Sequence, residues 1–325
     1  MKPRATIALL NWNGGDYVRP CIESILGQTE PDIEVIVVDN HSTDHSIDMI
    51  EALLGASSVR HELVRLDENR GICGGLQVAL ERANGKYFFP FASDDEMVSD
   101  RVARQCIQLD AAGPATHIAA GAVLLIGPNG EPLKNWLRRP LTISPAPYNG
   151  IDPRTLMTFS LAVPPAPGLA FRTAGLRSIG GYDPDAPVED VDTFSRLVLL
   201  GGSRVATTTD VVSRYRRHGS NASRRTDTMG DGLEHTLRTL VESGVDFGPV
   251  RHRWVEYLDA RSKGYVSPWG TLIRTLNTDP LDRPAARAAG IDVVRSHMSL
   301  RRRIRAGLAV LTPRLGARWV RQMNN

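Results

Sequence analysis

Residues Lys86 to Val98 read KYFFPFASDDEMV, an aromatic and apolar run that ends on two adjacent carboxylates, Asp94 and Asp95. A strand that delivers two acids to its carboxyl end can hold a divalent cation against a diphosphate, because ligands of an open α/β sheet bind in the crevice outside the carboxyl ends of its strands. The same pair can also serve as a helix cap or a solvated turn. Its chemistry therefore depends on what the rest of the chain sets beside it. Cys21, Cys73 and Cys106 are far apart, odd in number and embedded in apolar helical patterns, which predicts small buried residues and neither a disulfide framework nor a zinc site. No Ser–His or Cys–His arrangement points to a covalent intermediate.

The elements around the acid pair alternate. Thr6 to Leu10 is a short apolar strand closed by the turn-rich Asn11-Trp12-Asn13-Gly14-Gly15. Asp16 is placed to cap a helix whose Val18, Cys21, Ile22, Ile25 and Leu26 share one face, and Gly27 ends it. Ile33 to Val38 is the nearly unbroken β-branched run of a strand covered on both faces. A second helix follows with Ile47, Ile50 and Leu54 on one face, then a weaker strand over Glu62 to Leu66, then a helix carrying Leu76, Ala79, Leu80 and Ala83. Residues 1–95 thus read as a doubly wound half. Pro90 sits inside the strand that should be central, so hydrogen bonding must be interrupted or bulged there.

After the acids the pattern gives a helix over Asp100 to Ala112, a hairpin starting at Ala119 to Ile126 with its turn at Pro128 to Glu131, and a Pro-rich stretch over 132–167 that resists placement. A helix opens at Glu189-Asp190. Two short strands, Arg204 to Thr208 and Val211 to Tyr215, lead to Arg216-Arg217-His218. Domain limits follow: 1–225 as the main domain, divided into 1–95 and 96–225, and 226–325 as a helical extension. From Val293 on, the last 33 residues hold eight arginines and no acid, with Leu300, Ile304, Leu308, Leu311 and Leu315 at near-helical spacing. That stretch predicts self-association or peripheral contact with a membrane.

Length and composition set outer limits. At 325 residues a main domain plus an extension is the default, and 42% hydrophobic with 23% charged residues is ordinary for a globular protein. A formal charge of +3 is too small to argue nucleic-acid binding. No apolar run approaches membrane-spanning length, and the start lacks a secretory cleavage pattern, so the expected location is cytoplasmic or peripheral at the inner face of the membrane.

Six stretches in order, NWNGGDYVRPCIESILGQT, IEVIVVDNHSTD, ENRGICGGLQVALERANGKYFFPFASDDEM, GLAFRTAGLRSIGGYD, EDVDTFSRLVLLGG and RYRRHGSN, resemble the bacterial inverting GT-A glycosyltransferases of the "family two" group. The likeness covers residues 5 to 221. It implies an α/β GT-A fold, Rossmann-like with a mixed central sheet flanked by helices, and a C-terminal helical extension. It also implies a nucleotide diphosphate sugar as donor, with UDP- or dTDP-sugars favoured, a hydroxyl of a glycan, lipid-linked or small-molecule acceptor, and Mg²⁺ or Mn²⁺ as cofactor. Carried over by residue, Asn11 borders the base, Asp39 hydrogen-bonds the pyrimidine edge, Arg70 meets the diphosphate, and Asp94 and Asp95 hold the ribose and metal. His218 joins the metal or diphosphate site. Asp190 is the catalytic base, its charge favoured by the helix amino terminus. Ala92 stands where the family's usual Asp-x-Asp-Asp pattern has its first acid, which leaves the division of labour between Asp94 and Asp95 open.

The chemistry implied is a single displacement at the anomeric carbon, in which a cation neutralises the departing diphosphate and one aspartate accepts the proton of the incoming hydroxyl. Two other readings use the same sheet. A sugar nucleotidyltransferase normally carries a basic, glycine-rich phosphate loop after its first strand, and Asn11 to Gly15 lacks the basic residue. A non-catalytic nucleotide-binding or scaffold protein is the reading if Ala92 and Pro90 have disabled the metal site.

Overall fold

The computed structural model describes residues 2–134, 140–145, 163–221 and 226–245. The chain divides into two compact units, Met1–Phe247 and Gly248–Asn325, and all the described residues lie in the first. Four parallel strands, β1 (Ala5–Asn11), β2 (Ile33–Asp39), β3 (Arg60–Arg65) and β4 (Tyr87–Ala92), run in the order β3-β2-β1-β4. Between them lie α1 (Val18–Leu26), α2 (Ser46–Gly55) and α3 (Gly71–Arg82). Beyond β4 the sheet continues through β8 (Leu169–Arg172), β6 (Thr116–Ile126), β9 (Arg204–Arg216) and β5 (Glu96–Met97), and β7 (Thr142–Ile143) pairs with β6. β8 is antiparallel to both β4 and β6, so the sheet is mixed. The second half also supplies α4 (Arg101–Ala111), α5 (Thr173–Ser178), α6 (Glu189–Leu199) and α7 (Thr226–Glu242).

Alternation along the strands builds two cores. Ile7 and Leu9 of β1 face α1, α2 and α4, where they meet Val18, Ile22, Ile50 and Cys106. Ala8 of β1 and Ile36 and Val38 of β2 face α3 and α6, among Leu76, Leu80, Phe194 and Leu197. Tyr87, Phe88 and Phe89 are fully buried, each worth about 2–3 kcal/mol of apolar transfer. All three cysteines are buried and free, as their setting predicts.

Pro90 explains where the sheet opens. Tyr87 N donates to Arg4 O and Ser93 N to Leu10 O, so the odd-numbered amides of β4 face β1 and the nitrogen of Pro90 faces away. Pro90 therefore sits opposite Ala8 in the parallel register without costing β1 a hydrogen bond. On its other side β4 pairs with β8 only at Tyr87 and Phe88. The ladder stops before the proline, and a cleft begins there.

Several local expectations differ from what forms. α1 starts at Val18 with Tyr17 at its cap position and no side-chain cap, so Asp16 does not cap it. The two strands expected near 204–215 are one strand, β9, whose pairing with β6 is irregular around Ala120 and Ala122. The hairpin after β6 is present: Gly127 N donates to Glu131 O at 2.8 Å and Leu133 N to Leu125 O at 2.9 Å. α7 packs on α6 and belongs to the first unit. The arginine-rich stretch and the rest of the 226–325 extension lie outside the described residues, as does most of the Pro-rich segment.

Candidate active site

The carboxyl ends of β1 and β2 form one wall. Asn11 and Asp39 are neighbours in register, and both are buried. Asn11 Nδ2 donates to Asp39 Oδ1 at 2.8 Å and to Ser46 Oγ at 2.9 Å, while Ser42 N donates to Asp39 Oδ2 at 3.0 Å. Asn13 and His41, each just past a strand end, take the left-handed conformation with φ of 51° and 66°. Asn13 Oδ1 then accepts Thr43 N at 2.8 Å, and Asp44 Oδ2 accepts Gly15 N at 2.8 Å, which stitches the two loops together. A side chain at Gly14 would strike Asn11 Oδ1 and Ser93 Oγ at 2.5 Å, so the Asn-Gly-Gly turn is needed for this close approach.

Asn40 links this wall to the next loop by accepting Arg70 N at Oδ1 (2.8 Å) and donating Nδ2 to Asn69 Oδ1 (2.9 Å). Arg70 stands at the amino end of α3 with its guanidinium about half exposed and 3.7 Å from Glu68. It keeps donors available for an anion at a helix start.

Asp94 and Asp95 divide into an outer and an inner acid. Asp94 is partly exposed; His218 Nε2 lies 2.9 Å from its Oδ2, and Asn221 Nδ2 donates to the same oxygen at 3.2 Å. Asp95 is buried and accepts Arg216 N at Oδ1, 2.8 Å away. Burial, with Asp94 alongside, raises the Asp95 carboxyl well above the usual range. Asp94 and His218 together offer a carboxylate oxygen, which suits Mg²⁺ or Mn²⁺, and an imidazole nitrogen, which suits a transition-metal ion. Asp95 already holds a backbone donor and faces inward.

Arg216 fixes this arrangement. Its Nε donates to Asp94 O at 2.8 Å, its Nη1 to Pro128 O at 2.9 Å, and its Nη2 pairs with Glu96. Tyr17 lies under the Arg216 guanidinium, 5.2 Å from its ring centre, and packs on the His218 ring at 4.6 Å between centroids. Neither Arg216, Asn221 nor Tyr17 stood out in the sequence. The one available signal was Asn221 three residues after His218, where its Oδ1 accepts His218 N at 2.6 Å in an Asn-closed turn.

Asp190 lies in the first turn of α6, its Oδ1 accepting Val191 N at 2.8 Å. The helix amino terminus does not dominate its charge. Burial pushes the carboxyl of Asp190 up to about 6, and burial plus the neighbouring Asp190 pushes Glu189 up to about 8. The pair faces a partly open cleft that Asp95, Pro90, Ala92 and Thr193 also line. Asp95, just after β4, and Asp190, on α6, thus line one space. Among the described residues, the three-membered group with metal-ligand spacing is a different one, Asp183, Asp192 and His235.

Residues 6–144 match the model of glycosyl transferase family 2. That span holds the first three of the six motifs, and over it the match bears out the resemblance. The chain is 29% identical over 143 residues to the putative teichuronic acid biosynthesis glycosyltransferase TuaG of Bacillus subtilis, covering 44% of this chain and 56% of that protein. It is 31% identical over 132 residues to the succinoglycan biosynthesis protein ExoO of Rhizobium meliloti, covering 41% of this chain and 36% of that one. The match thus spans about half or less of these relatives. Among solved structures, the Pyrobaculum calidifontis mannosyltransferase PcManGT, in complex with GDP-Man and Mn²⁺, superposes with a TM-score of 0.59 at 19% identity, covering 98% of this chain and 85% of that one. Residues 1–349 of S. aureus TarS, in complex with UDP-GlcNAc, give 0.59 at 17% identity, covering 98% and 90%. The fold is the GT-A fold expected from the motifs. No helix among the described residues is long and apolar enough to cross a membrane.

Proposed function

We propose that this protein transfers a sugar from a nucleotide diphosphate donor to an acceptor hydroxyl with inversion, by a single displacement. The observation that carries the reading is the meeting of Asp95 and the Glu189–Asp190 pair at one cleft, beside the Asp94–His218 pair. Asp39 and Asn11 bound the base and Arg70 approaches the diphosphate. Asp94 and His218 would hold Mg²⁺ or Mn²⁺, with Asp95 behind them, and the bound ion supplies positive charge to the departing diphosphate. Asp190 accepts the proton of the acceptor hydroxyl as that proton becomes acidic in the transition state, worth on the order of 10²- to 10⁴-fold. Burial and their closeness disfavour a double negative charge on Glu189 and Asp190. The donors bound by PcManGT and TarS, GDP-Man and UDP-GlcNAc, support a nucleotide sugar as donor here.

The test is an assay of UDP-, dTDP- and GDP-sugars with Mn²⁺ that follows nucleoside diphosphate release, with and without chelator. Turnover that chelator abolishes is expected, and Asp190→Asn should keep donor binding while lowering turnover by about the factor above. Release of pyrophosphate with a sugar phosphate would identify a nucleotidyltransferase instead. Absence of turnover with every donor, or full activity in Asp190→Asn, overturns the reading.

A further inference from the structure

We propose that Asp183, Asp192 and His235 form a second divalent-cation site, separate from Asp94 and His218, that joins α7 to the first turn of α6. One ligand atom from each of the three lies within 4.8 Å of the others. They come from three elements: Asp183 from the loop that follows α5, Asp192 from the first turn of α6, and His235 from the middle of α7. His235 Nε2 stands 2.8 Å from Asp183 Oδ2, while Asp183 Oδ1 is engaged by Asp185 N at 3.0 Å.

Asp192 supplies the second, independent observation. Its residue is fully buried, and its Oδ2 is paired with Arg196 through Nε at 2.7 Å and Nη2 at 2.6 Å. Its Oδ1 is buried and has no hydrogen-bond partner. A carboxylate oxygen taken out of water without a partner is costly, and native structures rarely leave one so. Two separate ion pairs, Asp192 with Arg196 and Asp183 with His235, do not satisfy it. A cation held by Oδ1 together with Asp183 and His235 would satisfy it. With Arg196 counted and the imidazole neutral, the cluster carries one net negative charge, so a divalent ion is tolerated there.

Two carboxylate oxygens and one imidazole nitrogen suit Zn²⁺, which binds such donors at about 2.0–2.2 Å and in open sites keeps a further position for water. Asp183 and His235 are each about a quarter exposed, which gives the ion an entry path. The site would hold in place the helix that bears Glu189 and Asp190, and its existence does not depend on the reaction proposed for them.

The experiment measures metal stoichiometry on the full-length, untagged, metal-stripped chain by equilibrium dialysis against ZnCl₂ with elemental analysis. His218→Ala serves as background, so that ions at Asp94 do not contribute. The expected result is one equivalent of Zn²⁺ that raises the melting temperature, and loss of both the equivalent and the rise when His235→Ala is added. Asp192→Asn frees the buried Arg196 and can fail to fold, whereas His235 is partly exposed and its variant keeps that ion pair. Asp183→Asn serves as a second variant and should weaken binding at least tenfold. No bound Zn²⁺ in His218→Ala overturns the site, as does an equivalent that survives His235→Ala and Asp183→Asn together.

Discussion

Arg216 shows how a site can depend on a residue that performs no step. Three arginines lie close together at 214, 216 and 217, and by type they are equivalent. The fold separates them: the Arg216 side chain is 3% exposed and that of Arg214 is 47% exposed, although both pair with Glu96. Breaking a buried, hydrogen-bonded charge pair leaves an uncompensated partner and typically costs about 3–5 kcal/mol. Arg216→Ala is therefore expected to lower stability by several kcal/mol in chemical denaturation and to weaken Mn²⁺-dependent nucleotide binding, because Asp94 loses the support of its carbonyl. Arg214→Ala should cost less than about 1 kcal/mol, as an exposed pair does. Equal losses in the two variants would show that Arg216 does not organise the acids. At this scale the sequence pointed to Asp94 and His218, which the fold brings within 2.9 Å of each other. It was illegible where identical side chains differ only in which one the tertiary packing covers. The helix start at Asp190 was visible in the sequence, whereas the burial that raises its carboxyl was not.

Elements were legible where periodicity and covalent constraint agree. The parallel half, β1 to β4 with α1 to α3, follows from β-branched runs and one-faced helices, and Pro90 marked the interruption of pairing. The side of β4 on which the interruption falls was not legible, because it depends on which amides face β1. Since the Pro90 nitrogen faces the cleft, Pro90→Ala restores no hydrogen bond to β1 and mainly frees the unfolded chain. A loss of about 0.4–1 kcal/mol is expected in urea denaturation, whereas a gain would mean the new amide has found an acceptor in the sheet. β9 was read as two strands because Asp210 and the threonines before it look like a turn, while pairing with β6 carries the strand through with a register shift. Asp110 ties the end of α4 to the starts of β4 and β1: its Oδ1 accepts Lys86 Nζ at 2.6 Å and Tyr87 Oη, and its Oδ2 accepts Arg4 Nη2 at 3.3 Å. Lys86, then Tyr87, hold its carboxyl down at about 2. A depressed acid stabilises the fold above its ordinary pKa and ceases to do so as the pH falls through the depressed value. Asp110→Asn should thus destabilise by less than about 1 kcal/mol at pH 7, given its exposure. The gap to the parent should close as melting is measured from pH 4 towards pH 2, and a gap that widens instead would exclude the carboxylate as its source.

For the molecule as a whole, the decisive feature is that the proposed base rides on a helix held by a segment the sequence assigned to a separate extension. α7 lies against α6 with Leu237 and Leu240 fully buried. The approach is close: a Cβ added at Gly232 would come within 2.4 Å of Val188 Cγ2, in the residue that precedes α6. The segment 226–242 was assigned to the helical extension 226–325 because its mate is non-local, and a helix-interior glycine reads as a weakness until the surface it must approach is known. The compact unit that contains α6 and α7 ends at Phe247. A chain shortened to residues 1–247 is expected to melt in one transition at close to the parent temperature. A chain ended at Asn221 uncovers the apolar face under α7 and should melt well below it or aggregate. Gly232→Val in the full chain isolates the contact from the loss of mass. Overpacking there should cost about 1–3 kcal/mol and reduce turnover, because the start of α6 has to shift and Asp190 with it. Nucleotide binding at the carboxyl ends of β1 and β2 should remain near that of the parent, since none of Asn11, Asp39 and Arg70 touches α7 in the contacts described. If Gly232→Val lost nucleotide binding and turnover in parallel, the damage would be global. If it left both unchanged with parental stability, α7 would be an ornament on the catalytic unit and not the brace of its base-bearing helix.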